Sequence, residues 1–146
     1  MKNSCELTSA LTGTALLGLA GIHAYWGLGG TWPGHDPESL SRKVFAGEDQ
    51  QLPPPAACFA VTGALALPTL ALVLANRPGP YQPASRRVCQ AAAVALLGRG
   101  GLGFTLPRFT QANPEFRDLN RKIYSPLCLA LGLGMLRSAD SPKGKS

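Results

Sequence analysis

The chain has 146 residues, 45% of them hydrophobic and only 15% charged, with a net charge of +6 and a pI near 9.5. Soluble proteins typically carry about 25% charged residues, and here Asp and Glu are absent from Leu7 to Leu28 and from Pro53 to Pro114. The basic residues flank apolar runs and form no stripe with interleaved aromatics, which excludes a nucleic-acid footprint and favours anionic lipid beside membrane spans. Mean hydropathy is only +0.06, because two polar connections and a polar tail dilute the apolar runs.

A membrane helix needs roughly 20 mostly apolar residues. The first candidate run is Leu7 to Leu28. Lys2 and the stretch ending Gly21-Ile22-His23-Ala24 loosely resemble a signal peptide. The run is longer than a usual signal core, and Tyr25 and Trp26 continue it, so a retained span is expected. In the first connection, Gly29 to Pro55, Asp36 reads as a helix cap and Pro37 as the first helical residue. Leu40 and Val44 then form an i, i+4 pair and Gly47 closes a short interfacial helix.

The second run, Ala56 to Ala75, follows Pro53-Pro54-Pro55 and ends at Asn76-Arg77-Pro78. The connection from Asn76 to Arg87 holds Pro78, Pro80 and Pro83 and reads as an irregular turn. The third run, Val88 to Leu106, is stopped by Pro107. The fourth, Ile123 to Leu136, has 14 residues and would rise only about 21 Å. It becomes a span as the end of a longer helix. Asn113 can cap that helix, Pro114 suits its first position, and Phe116, Leu119 and Ile123 share one face. This second interfacial segment would enter the bilayer near Pro126.

The predicted fold class is therefore all-α. It is a four-helix transmembrane bundle with short interfacial helices in the first and third connections. Residues 1–137 form one transmembrane domain and residues 138–146 a disordered basic tail. Four spans place Lys2, Arg77, Arg86, Arg87, Arg137, Lys143 and Lys145 on one side, and Arg42, Lys43, Arg108, Arg117, Arg121 and Lys122 on the other. Seven against six is a slight bias. The three arginines of the compact second connection tip both termini towards the cytoplasm, in a multi-pass plasma-membrane protein.

Arg99 lies inside the third run, and an ionisable residue in a span marks a functional site by default. His23, near the exit of the first run, raises the same question. Both exits lie on one side, so the two residues are expected at a similar depth, roughly 8–10 Å inside. The fourth span brings Tyr124, Ser125 and Cys128 to that level. Gly98, Gly100, Gly101 and Gly103 strip bulk from the surroundings of Arg99, so a neighbouring helix or a ligand can approach. A purely structural use of Arg99 and His23, holding the bundle together or reaching the interface, stands beside the binding reading.

Three elements occur in order: His23-Ala24-Tyr25-Trp26-Gly27-Leu28-Gly29-Gly30, the Arg99-Gly100 pair followed by Phe104, and Tyr124-Ser125-Pro126-Leu127-Cys128-Leu129. Together they resemble a family of small bacterial four-helix membrane proteins, domain of unknown function DUF3995. The resemblance runs from the first span to the fourth. It implies four spans and an integral membrane location, and it implies no reaction.

Other motifs carry less. Gly98-x-Gly100-x-x-Gly103 matches a dinucleotide fingerprint but lacks the preceding strand and the later acid. His23 and His35, with Asp36 and Glu38, are too few for a metal site. One proximal histidine can suffice for haem, and two would need His35 to reach inward; no cofactor is expected. The four cysteines form no C-x-x-C pair. Cys58 and Cys128 start spans on the same face, and free thiols are the expectation. Tyr25, Trp26 and Trp32 read as an interfacial belt.

No catalytic set is legible, and whether the protein is an enzyme stays open. Two readings result. In one, His23, Tyr25, Trp26, Arg99, Tyr124 and Ser125 bind a small amphiphile in one leaflet, such as a lipid, a quinone head or another amphiphilic anion. In the other, the chain is a structural or accessory subunit that packs against a membrane-protein partner or a second copy. The i, i+4 pairs Ser9/Gly13, Thr14/Gly18, Ala60/Ala64 and Ala130/Gly134 suit such packing.

Overall fold

The computed structural model describes residues 2–44, 52–109 and 113–139. Among these residues the fold is all-α. The elements are α1 (Lys2–Gly27), α2 (Pro37–Val44), α3 (Pro55–Ala75), α4 (Gln82–Phe109), α5 (Pro114–Leu119), a π-helical turn (Asn120–Tyr124) and α6 (Ser125–Ala139).

Three helices are long and apolar enough to cross a membrane: Ser4–Gly27 of α1, all of α3, and Gln82–Thr105 of α4. Only 17%, 28% and 22% of their most apolar windows are buried, so most of that apolar surface faces outward. Leu17, Leu67, Leu70, Val94 and Leu102 all point away from the protein. Such a surface implies a surrounding lipid bilayer. At 15 residues, α6 is too short to qualify alone. It is, however, the last part of a helix that runs unbroken from Pro114 to Ala139.

Two prolines act differently from their sequence reading. Pro83 lies in the first turn of α4, so the helix starts at Gln82 and the irregular connection shrinks to residues 76–81. The first N–H groups of a helix have no internal partner, so proline costs nothing there. Pro107 does not stop α4, which continues to Phe109. At the chain's end, α6 runs to Ala139, past the expected tail boundary at 138. The rest of that tail and Gly47, expected to end α2, lie outside the described residues.

The long helices pack around a ring: α1 against α3 and α6, and α4 against α3 and α6. This places α1 and α4 on the diagonal. Leu16, Leu72, Cys89, Ala93, Leu131 and Met135 fill the centre. In lipid, close packing and interhelical hydrogen bonds hold helices together, because tails are as apolar as leucine. Both devices are present. Gly132 of α6 sits against Leu97 and the Ala93 carbonyl of α4, leaving no room for a methyl group. At the other end of the bundle, Ser9 Oγ donates to Ser138 Oγ at 2.8 Å, and Ser138 Oγ donates to the Gly134 carbonyl at 2.8 Å. Asn76 Nδ2 donates to the Leu72 carbonyl at 2.8 Å and reaches Ser9 Oγ at 3.4 Å.

The expected caps form. Asp36 Oδ1 accepts from the Ser39 N–H at 2.7 Å, and Asn113 Oδ1 accepts from the Phe116 N–H at 2.9 Å. Asn113 also works in the other direction. Its Nδ2 donates to the Arg42 carbonyl at 2.9 Å, while Tyr124 Oη donates to the Lys43 carbonyl at 3.2 Å. Both carbonyls belong to the last turn of α2, where helical partners run out. The first connection is thereby fastened onto α5 and the π turn, with Leu40 and Phe116 buried.

Candidate functional site

Proline explains the π turn. Pro126 has no N–H, and in an α-helix its ring would press on the Lys122 carbonyl. Widening the preceding turn by one residue relieves this: the Ser125 N–H bonds to the Asn120 carbonyl, five residues back. π turns of this kind occur frequently at functional sites. The widening also resets the helix face. Phe116 and Asn120, four apart, are both buried, yet the next buried residue is Ser125, five further on. Tyr124, which regular spacing would put there, turns aside to Lys43.

Asn120 and Ser125 face α4. Arg99 Nη2 donates to Asn120 Oδ1 at 2.9 Å. Asn120 Nδ2 in turn donates to the Gly103 carbonyl. Gly103 is what allows this meeting. A Cβ there would collide with Ser125 Oγ and would lie 2.6 Å from Arg99 Nη1. Gly100, one turn earlier, lets Leu129 and the Ser125 carbonyl approach. Gly98 and Gly101 have nothing within 4 Å of an added Cβ. The four glycines therefore divide: two build the contact, and two face outward.

Two groups in this cluster are incompletely satisfied. Ser125 is fully buried and its Oγ has no hydrogen-bond partner. Arg99 is exposed, it donates to the neutral carboxamide of Asn120, and among the described residues it has no carboxylate within ion-pair distance. The exposed guanidinium, with no counter-charge beside it, can accept a polar or anionic head.

The other expected site residues lie elsewhere. His23 Nδ1 is 2.8 Å from the Leu19 carbonyl, so that nitrogen carries the proton in the neutral ring. The ring meets Trp26 edge-on, with centroids 4.9 Å apart. Trp26 Nε1 donates to the Trp32 carbonyl at 2.7 Å. The Tyr25 ring lies over Gly30, where no side chain would fit. These aromatics form a separate group at the end of α1. No hydrogen bond or ring contact joins His23 to Arg99, which sit on diagonal helices. Counted from the ends of the apolar spans, their depths are similar. His23 is four residues before Gly27, about 6 Å, and Arg99 is six before Thr105, about 9 Å.

Asn120 is the site residue that sequence reasoning missed. Its signal was present: it is four residues after Phe116 and so on the inward face of α5. None of the four cysteines forms a disulfide, Cys58 and Cys128 included. Among the described residues no three His, Cys, Asp or Glu side chains gather as metal ligands.

A family profile described as Protein of unknown function (DUF3995) matches residues 16–135, and the chain belongs to that family. No curated protein and no solved structure matches it.

Proposed function

We propose that this DUF3995 member is a four-span protein of the bacterial plasma membrane that binds the polar head of an amphiphile, a lipid or a quinone, against Arg99. In this reading α6 is the fourth crossing, with the π turn and α5 lengthening it at the interface. α2 and α5 lie along the membrane surface, and both termini are cytoplasmic. Arg99 supplies the charge and Asn120 holds its guanidinium. His23, Tyr25, Trp26 and Tyr124 form the polar and aromatic rim at the same end of the bundle.

The observation that carries this reading is an exposed Arg99 with no carboxylate beside it among the described residues. An arginine at the centre of a membrane helix costs about 2.5–3.5 kcal/mol on insertion scales. One hydrogen bond from a charged donor returns roughly 1.5–3 kcal/mol. An anionic or strongly polar ligand supplies what remains and the specificity.

The test is to purify the wild type and Arg99→Leu from the same membranes and to compare co-purifying small molecules by mass spectrometry. A lipid or quinone present with the wild type and absent from a folded variant supports the site. Identical profiles from two folded proteins overturn it. The accessory-subunit reading keeps one observation in its favour: Thr14/Gly18 and Ala60/Ala64 are exposed, available for another protein, whereas Gly13 packs internally on Leu72 and Thr69. That reading predicts lost assembly on changing these pairs.

A further inference from the structure

An open groove lies between α1 and α3, at the end of the bundle opposite Arg99. Its volume is about 480 Å³, within the roughly 300–1,000 Å³ of small-molecule pockets. The walls include Ala10, Leu17, Leu72 and Val73. Gly13 keeps the floor low, since a Cβ there would only just touch Leu72 and Thr69, each at 3.7 Å. Glu6 and Arg77 also line the opening. Glu6 stands near the start of α1 and Arg77 just after α3, so both mark the end where the chain leaves the apolar layer. They do not form an ion pair with each other. From Glu6 to Leu17 the helix rises about 16 Å, so an apolar trough runs inward from a mouth that carries both signs of charge.

We infer that this groove holds an acyl chain of a phosphoethanolamine lipid, with the phosphate at Arg77 and the ammonium at Glu6. A head with both signs matches the mouth. A phosphoglycerol head offers Glu6 only neutral hydroxyls and no cation, so the carboxylate loses its counter-charge. A phosphocholine head carries a quaternary nitrogen that has no N–H to give the Glu6 carboxylate, whereas a primary ammonium has three. The nearby polar groups of Ser9 and Asn76 are already engaged with Ser138 and Leu72, which leaves the head to the two charged side chains. The site is separate from Arg99 and needs only α1 and α3 to lie in the bilayer.

The test uses the full chain, delipidated in detergent and offered phosphatidylethanolamine, phosphatidylcholine or phosphatidylglycerol, with retention read by native mass spectrometry. The wild type should retain phosphatidylethanolamine over the other two by roughly two- to fivefold, the size of an exposed ion pair. Glu6→Gln should abolish the preference over phosphatidylcholine, and Arg77→Gln should weaken retention of all three. Both residues are exposed, so the variants keep the fold, which circular dichroism checks. Arg99→Leu should leave the preference intact. Equal retention of the three lipids by the wild type, or an unchanged preference in Glu6→Gln, overturns the inference.

Discussion

Gly100→Ala and Gly98→Ala place the same methyl group on the same helix, two residues apart. In Gly98→Ala the new Cβ meets nothing within 4 Å. In Gly100→Ala it would lie 2.8 Å from both Cγ and Cδ2 of Leu129 and 3.0 Å from the Ser125 carbonyl oxygen. Carbon atoms rest at about 3.5–4.0 Å, so α4 and α6 must part by roughly 0.7–1.2 Å. Leu129 cannot simply swing away, because its Cγ and the Ser125 backbone are both in the path. Overpacking of this kind costs about 1–3 kcal/mol. Replacing a helical glycine by alanine returns roughly 0.5–1 kcal/mol, but that gain is common to both variants and cancels between them. Gly98→Ala should therefore exceed Gly100→Ala in stability by about 1–3 kcal/mol. Detergent-titrated unfolding in mixed micelles, followed by circular dichroism, measures the difference. Equal midpoints would refute the close α4–α6 approach on which the site depends.

Asn120→Ala removes both the Arg99 bond and the Gly103 bond and should cost about 1.5–3 kcal/mol in the same assay. Much of that loss should vanish when Arg99 is already leucine, which a double-mutant cycle reads. Asn113→Ala should destabilise α5 by about 0.5–2 kcal/mol and also loosen α2, so amide exchange should rise at both Phe116 and Val44. The Ser39 backbone N–H, then the Ser39 hydroxyl, and the charge of Arg42 hold the Asp36 carboxyl below its ordinary value. A lowered folded value means the cap's contribution is complete above the ordinary Asp range and disappears as pH falls through the lowered one. The protection factor of the Ser39 amide, its exchange relative to the unstructured rate at the same pH, should fall only in that acidic window; a fall near neutrality contradicts the assignment. Because no cysteine is in a disulfide, the denatured chain should show four reactive thiols with or without reductant.

Much of the architecture is written in hydropathy and cap chemistry. The apolar runs located α1, α3 and α4, and Asn113 with Pro114 gave the start of the last helix. What failed was local. Pro83 and Pro107 look like boundaries in a sequence, but a proline's effect depends on which N–H groups are already unpaired. The glycines around Arg99 look alike until helix rotation separates Gly100 and Gly103 from Gly98 and Gly101. Asn120 was legible by its spacing from Phe116, whereas the step of five to Ser125 was not, since regular periodicity selects Tyr124. A shared side and depth for His23 and Arg99 could be read from span order, but hydropathy does not give the order of helices around a ring, which sets the two on diagonal helices.

The central claim is that Arg99 holds a ligand head rather than only its own protein. The most direct measurement is the ¹⁵N spectrum of the arginine side chains in nanodiscs, with Arg99 identified by its loss in Arg99→Leu. Delipidated protein in phosphatidylcholine would be compared with the same protein after adding phosphatidylglycerol or ubiquinone. The account predicts that the Arg99 Nη signals shift and sharpen with one of the two additions. Signals that stay the same with both, in a folded protein still bonded to Asn120, would contradict it.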